Sequence, residues 1–593
     1  MIASPRVQDG PEGEPSRGGL LEGSLAGGSW KRHLALGVFF VFCTVAVHGV
    51  TPDRLVHDQP ANLGDSSLNT WILTWSAHAL ARHPFSRSGL FNAPIYWPHD
   101  LTLAYSDLLL PLVPVYGLLL AITRNWTLAL NLTVLACLVL AQAAMFALAR
   151  RLTGRSDAAL LASFSYTFSS FALAHWGHSQ LQTHGLLALA FLALFRALER
   201  RTAAAGAWLG LVTATVGLAA WYYGAAWAIA ATTIVIGHVV VRRLRPGLGL
   251  LRTLGVAAVV AGLLLAPFVK PYVILGSRPG FERDARASWG LKARDLVTPV
   301  RGTLLYPGLG STDCEHCFFP GFLAYGLAAA GLVALVRRRW AASEGSPEAI
   351  DRVRRQREEL WLLVTGGVVC GVFALGIEVA GRPGPFGLLH DHVPGFSAIR
   401  VSSRLAIVSL LAVSCLASAG FAQLTVRQSR RRSQVLAAVA LLILFAELNG
   451  IDSWARLDTS AATLDVYREL SHRGEGAVVE LPAYRVDQDP VAWTCGESTR
   501  ALYATIDGHP RWNGYSGYLP PDYVGRAVVF NEWPTEEATA LARSLGVRYF
   551  VLHTGMPAGF PGLTEGDAAA RAHRAPAGAE VGRYGEAWLI AVR

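Results

Sequence analysis

Gly64-Asp65-Ser66-Ser67-Leu68-Asn69-Thr70-Trp71 lies at the centre of a polar stretch, 52–107, wedged between apolar runs. Upstream, residues 34–50 form an apolar segment long enough to cross a bilayer, preceded by Lys31 and Arg32. Cations before a first span hold the N-terminus inside. The stretch 52–107 is therefore expected on the outer face, and with it Asp53, Asp58, Asp65, Asp100 and Asp107. Within it, Gly64 followed by Asp65, Ser66 and Ser67 reads as a helix start. The serines are expected to cap a helix from Leu68, whose Trp71, Leu73 and Trp75 would lie on the membrane interface.

Composition agrees with a polytopic membrane protein. Of 593 residues, 52% are hydrophobic and only 16% charged, with mean hydropathy +0.35; apolar runs recur along the chain. The net charge of +10 comes mainly from arginine, in short clusters separated by span lengths. That spacing speaks for membrane topology and against nucleic-acid binding. Seven cysteines in a chain of this size do not make a disulfide scaffold. Residues 1–30, rich in Gly, Pro, Ser and Glu, read as a disordered cytoplasmic tail and not a cleaved signal.

A span needs roughly 20 apolar residues. Candidates lie near 34–50, 126–149, 157–175, 181–198, 205–221, 223–241, 250–275, 318–336, 359–379, 404–424 and 433–449. A further apolar run, 103–122, would upset the count. If it crossed, Arg150, Arg151 and Arg155 and every later arginine cluster would face outward. Left uncrossed, it puts these three, Arg196/Arg200/Arg201, Arg242/Arg243/Arg245, Arg337/Arg338/Arg339 with Arg352–Arg357, and Arg427/Arg430/Arg431/Arg432 in the cytoplasm. Pro111 and Pro114 also weaken it as a straight helix, so it reads as interfacial or re-entrant. The expected fold is mainly α: a membrane bundle of about eleven spans over 31–450, with a first external loop at 51–125. From 451 to 593 the chain turns polar, with β-like runs 477–481, 548–552 and 587–592. A helix start at Pro534-Thr535-Glu536-Glu537, ended by Gly546, completes a small extracytoplasmic α/β domain.

The long outer loop, rich in carboxylates, Trp and His between apolar spans, resembles that of the GT-C membrane glycosyltransferases. So does Pro394-Gly395-Phe396-Ser397-Ala398-Ile399-Arg400-Val401-Ser402-Ser403-Arg404. The resemblance covers about 34–450. It implies an inverting bacterial cell-envelope enzyme of the inner (plasma) membrane, a hexosyl- or pentosyltransferase. Its donor would be a polyprenyl-phosphate-linked sugar, and its acceptor a glycan, lipid or protein on the outer face. In that family an acidic residue of the first external loop sits in the catalytic cavity, and Asp65 is its match. Several branches carry a second carboxylate in the second external loop, Trp176 to His184 here. This sequence has none there, and His178 takes the place, which leaves the use of a divalent metal (Mg or Mn) open.

The chemistry asks for a base on the acceptor hydroxyl and cations on the phosphate. Asp65 fits the base, the alternative being a carboxylate that only stabilises the helix dipole; Asp53 and Asp58 are weaker candidates. His178, Gln180, Gln182 and His184 gather at one span boundary, as catalytic or acceptor-binding groups or as helix-end caps. Arg400 and Arg404, on the outer side against the positive-inside bias, are candidate phosphate ligands, with Lys270 as a third cation. Glu315, Tyr222 and Tyr223 are candidate acceptor contacts. Cys314-Glu315-His316-Cys317 has Cys-x-x-Cys spacing without a second ligand pair, which leaves a local disulfide, free thiols or a metal. His509 to Tyr518, dense in aromatics and amides, would suit a sugar or serve turn and core. Two rival functions stay on the table: a flippase of lipid-linked sugars, which needs ionisable residues along a path through the bilayer, and a non-catalytic glycan-binding membrane protein.

Overall fold

The computed structural model describes residues 29–84, 86–241, 247–281, 289–337, 346–450, 453–555 and 562–592. The expected tail before 29, Arg242, Arg243, Arg245, Arg338 and Arg339 lie outside the described residues. Helical structure covers each expected apolar segment. Among the described residues, six helices are long and apolar enough to cross a membrane: Trp30–Val47, Trp126–Thr153, Leu181–Arg200, Trp221–Val241, Leu248–Gly276 and Ser402–Leu424. Shorter apolar helices include Ala203–Ala219 and Phe322–Val336. The segment 157–175 is not one straight rod. It breaks into Ser156–Thr167 and Ser170–Ala174, because the Ser170 amide donates to Phe319 O at 2.9 Å instead of to its own helix.

The run 103–122 divides into single turns Thr102–Tyr105 and Leu110–Leu112 and an 11-residue helix, Val113–Thr123, with Pro114 in its first turn. At about 1.5 Å per residue that helix is ~16 Å long, half of a ~30 Å hydrocarbon layer.

Helices pack through small residues, as they do where lipid removes the hydrophobic drive between them. Phe322–Val336 crosses Ile407–Leu424 so closely that a Cβ on Gly420 would meet the Leu327 carbonyl, and one on Gly331 the Leu416 carbonyl. At one end of the bundle the described arginine clusters meet. Arg151 pairs with Glu199 (2.8 Å) and Glu359 (2.6 Å), Arg355 also reaches Glu199, and Arg155 bonds Asp157 and Ala422 O.

The polar C-terminal stretch builds a four-stranded sheet. Ala477–Leu481 pairs in parallel with Val547–His553, which pairs antiparallel with Ala587–Ala591, itself antiparallel to Glu580–Tyr584. The helix Glu536–Ser544 has Thr535 as its N-cap, and Gly546 follows it with φ +67°. This sheet is not a separate bead on the bundle. Buried residues of the first loop, among them Leu63, Trp71, Tyr96 and Tyr105, share one hydrophobic core with Leu470, Val479, Trp512 and Phe550. A short strand, Asp58–Pro60, pairs with Trp454–Arg456 and joins the two chain regions at the backbone.

Candidate functional site

The helix Asp65–Arg82 begins one residue after Gly64, with no side-chain cap. Ser66 and Ser67 are therefore not caps. Ser66 Oγ donates to Pro60 O and Ser67 Oγ to Gln59 Oε1 at 2.9 Å, tying the first turn to the Asp58–Pro60 strand. Trp71 is 1% exposed and Leu73 fully buried, so this face is core and not membrane interface. Trp75 Nε1 donates to Leu90 O at 2.8 Å. The reason is the cover: the helix Pro490–Tyr503 lies over it, with Ser498 Oγ donating to Leu63 O at 2.9 Å.

These contacts aim Asp65 at the loop 176–184. His178 Nε2 stands 3.3 Å from Asp65 Oδ2, and the Tyr515 hydroxyl is 3.5 Å from Oδ1. Gly177, before His178, presses against the strand: a Cβ there would lie 2.9 Å from Ala61 Cβ, while its carbonyl accepts from Asn69 Nδ2 at 3.3 Å. Burial pushes the His178 imidazole down to about 4, outweighing the pull of Asp65 in the other direction. The imidazole is neutral at pH 7, and only the tautomer with its proton on Nε2 donates to Asp65.

Behind His178 lies a second charged group. His175 Nε2 is 3.4 Å from Glu315 Oε2, and its ring meets that of His178 edge-on at 5.2 Å. Arg404 grips Glu315 with two nitrogens, Nε–Oε2 being 3.1 Å, and its guanidinium lies 4.7 Å over the Tyr222 ring. Burial raises the Glu315 carboxyl, but Arg404 and His175 together overcome it and hold the group well below the usual carboxylate range. Arg400 is exposed, stacked 4.7 Å over Trp289.

Asp65, His178, Gln180, Tyr222, Arg400 and Arg404 line one cavity of about 1010 Å³, together with Asp107, Trp221, Phe396, Tyr515 and Tyr518. The cavity continues as an apolar groove along the helices Ala203–Ala219, Trp221–Val241 and Leu248–Gly276. On the last, Leu254, Ala258, Ala261, Leu265, Val269 and Val273 form one face, so the groove follows the helix over roughly 28 Å. Asp107 Oδ1 accepts from the Trp221 amide at 2.9 Å and so fixes the start of a groove helix from the first loop.

Other expected site residues fall elsewhere. Glu315, expected to contact the acceptor, is instead buried behind Arg404. Gln182 is fully buried, its Nε2 donating to Ala172 O and His175 O, and braces the loop that carries His178. Tyr223 is buried with its hydroxyl on Leu181 O at 2.6 Å. Lys270 is exposed on its helix and does not line the cavity, although Val269 and Tyr272 do. Asp53 pairs with Arg456 at 3.3 Å, and the Asp58 carbonyl holds Asn131. The Cys314 side chain and Glu282, Arg283, Asp284 and Arg286 lie outside the described residues; Cys317 Sγ donates to Asp313 O at 3.4 Å.

Of His509–Tyr518, His509, Arg511, Trp512, Asn513 and Ser516 are buried, while Tyr515 and Tyr518 face the cavity. His175 and Asp107 carry no sequence signal beyond the Trp176 loop and the acid-rich first loop they adjoin. A second cleft, about 780 Å³, lies at the arginine end, walled by Glu199, Arg355 and Glu359; Arg355 reaches Glu199, and Glu359 pairs with Arg151.

For a divalent metal the donor set is poor. Mg and Mn favour near-octahedral oxygen coordination, yet Asp65 offers one carboxylate beside an imidazole and Glu315 is occupied by Arg404. Among the described residues no group of three or more His, Cys, Asp or Glu is placed to hold a metal.

The family model described as "Domain of unknown function (DUF6311)" matches residues 34–449. The chain belongs to this family. No curated protein sequence matches this DUF6311 chain. Among solved structures, arabinofuranosyltransferase AftD from Mycobacteria is similar with TM-score 0.58 at 14% identity, over 95% of this chain and 40% of that one. The oligosaccharyltransferase AglB from Archaeoglobus fulgidus gives TM-score 0.44 at 13% identity, over 88% and 69%. ArnT from Cupriavidus metallidurans, solved with undecaprenyl phosphate, gives 0.44 at 12%, over 95% and 98%. The likeness to AftD shows that the DUF6311 chain has the GT-C fold; at 40% of that enzyme's length, it shares only part of its architecture.

Proposed function

We propose that this protein is an inverting membrane glycosyltransferase that takes a sugar from a polyprenyl-phosphate donor to an acceptor on the extracytoplasmic face. All eleven apolar segments cross the membrane in this reading, the arginine end facing the cytoplasm and the cavity opening outward, with 451–593 on the outer side. The observation that carries it is the single cavity in which Asp65 and His178 stand beside Arg400 and Arg404 at the head of an apolar groove. The groove holds the prenyl chain. Arg400, exposed and stacked on Trp289, meets the phosphate first, while Arg404, anchored by Glu315, adds a fixed positive field.

The acceptor hydroxyl approaches the anomeric carbon from the face opposite the phosphate. Its proton passes to Asp65, whose Oδ2 is oriented by His178 and whose Oδ1 has only a long contact with Tyr515. The new C–O bond forms as the bond to the phosphate oxygen breaks, and the lipid phosphate departs with one more negative charge, which the arginines stabilise. A flippase would need charged groups along the groove; its wall between Leu254 and Val273 supplies no Asp, Glu, Lys, Arg or His among the described lining residues.

The test is Asp65→Asn in a deletion strain, read by mass spectrometry of envelope glycans. The expected result is loss of one glycan modification, with purified variant still binding undecaprenyl phosphate. Transfer by the Asn variant within tenfold of wild type would remove Asp65 as base, since a positioned base contributes about 10²–10⁴-fold.

A further inference from the structure

The cavity has three unlike walls. One carries the guanidinium groups, a second is the apolar groove, and the third comes from the C-terminal region, which supplies Tyr515, Gly517 and Tyr518 without a charged group. This third wall is rigid. Asn513, 2% exposed, donates to Glu480 O at 3.0 Å and accepts from the Glu480 amide at 2.7 Å, locking the loop to the central sheet. Ser516 is 4% exposed. The Tyr515 ring meets Trp493 edge-on at 4.9 Å, and Tyr518 is held edge-on by Tyr105 at 6.2 Å. The Tyr515 ring is thus fixed beside the carboxylate, its hydroxyl reaching Asp65 Oδ1, and Tyr518 is fixed in the wall of the same cavity.

Resting on the reading above, we propose that Tyr515 and Tyr518 form the acceptor subsite and that the acceptor is a neutral saccharide. Sugar rings present C–H faces that stack on aromatic rings, and hydroxyls at their edges that bond phenols and carboxylates. A ring lying against Tyr518 brings an edge hydroxyl to Asp65 Oδ1, the oxygen His178 leaves available. An acidic saccharide would meet Asp65 and Asp107, while Arg400, the cation that Tyr515 feels, is taken by the donor phosphate in this reading. A peptide bound as an added strand would need an open sheet edge, which this wall does not offer.

The test uses full-length protein in nanodiscs, fluorescently labelled, on an array of neutral oligosaccharides, acidic oligosaccharides and peptides. Native mass spectrometry with undecaprenyl phosphate runs in parallel. Neutral saccharides are expected to give the signal; Tyr518→Ala lowers it at least tenfold, Tyr518→Phe keeps it, and lipid binding is unchanged in both. Arg400→Ala lowers lipid binding and leaves the saccharide signal. Signal confined to acidic saccharides or peptides, no saccharide signal, or a neutral-saccharide signal that survives both Tyr518→Ala and Tyr515→Ala overturns the subsite while lipid binding still stands. Absence of lipid binding by the wild type would instead overturn the donor reading.

Discussion

His178 illustrates how one partly buried side chain sets the working range of its neighbours. Burial pushes it down to about 4, so the unfolded chain takes up a proton near the ordinary histidine value of about 6.5 that the folded protein refuses until much lower pH. This group therefore subtracts stability as pH falls from about 6.5 toward 4, and within the same window it stays neutral in the cavity. The expected kcat/KM profile is flat from pH 8 down to about 5, and His178→Asn loses activity without creating a limb. A wild-type limb at 6.5 that vanishes in His178→Asn would show a freely titrating imidazole.

The pair behind it makes a separate prediction. Removing Glu315 alone strands the buried Arg404, and Glu315→Ala is expected to cost about 3–5 kcal/mol in a denaturation series. The double variant Glu315→Leu/Arg404→Met recovers most of that stability but not glycan transfer. Recovery of both would mean that the ion pair is only structural.

At the scale of elements, the bundle depends on backbone approach at a few small residues. Gly420→Leu places a side chain on the Leu327 carbonyl and is expected to destabilise by about 1–3 kcal/mol or more. Gly326→Leu, where a Cβ meets nothing within 4 Å, leaves the melting temperature in detergent unchanged. Equal effects from the two would remove the crossing as the cause.

Element placement was legible in the sequence where one physical rule acts alone. Apolar length located the helical segments, and the two prolines of 103–122 agree with its division into two single turns and a short helix. The capping reading of Ser66 and Ser67 failed because a strand 6–8 residues upstream took their hydroxyls. Trp71 was misplaced because the cover of its helix, Pro490–Tyr503, is more than 400 residues away in sequence, and no local pattern encodes it. Asp65 is legible through the family resemblance, His178 through the carboxylate missing from the Trp176–His184 loop, and His509–Tyr518 as a stretch suited to a sugar, whereas the position of Tyr515 and Tyr518 at the Asp65 cavity and the retreat of Glu315 behind Arg404 emerge only from tertiary packing.

For the whole molecule, polarity along the bundle axis is the central feature: arginine clusters at one end, the Asp65 cavity at the other. Single cysteines at exposed Ser397 and exposed Glu348 test it with a membrane-impermeant maleimide on intact cells, against the wild-type background. Ser397→Cys is expected to react from outside, and Glu348→Cys only after lysis. The reverse pattern, or reaction of both from outside, would place the cavity on the wrong side for an extracytoplasmic acceptor.

The core shared by the first loop and the C-terminal sheet also has a consequence for biogenesis. The loop bearing Asp65 leaves the ribosome long before Ser498 exists to hold Leu63, and at about 5–20 residues per second that interval is of the order of half a minute or more. In the proposed topology, Leu63, Trp71 and Tyr105 wait during it on the far side of the membrane without their final partners. A translocated segment so exposed for so long is a natural client for holdase chaperones at the translocon exit. Slowing translation of the last third of the message should raise degradation of the nascent chain at that loop before anywhere else.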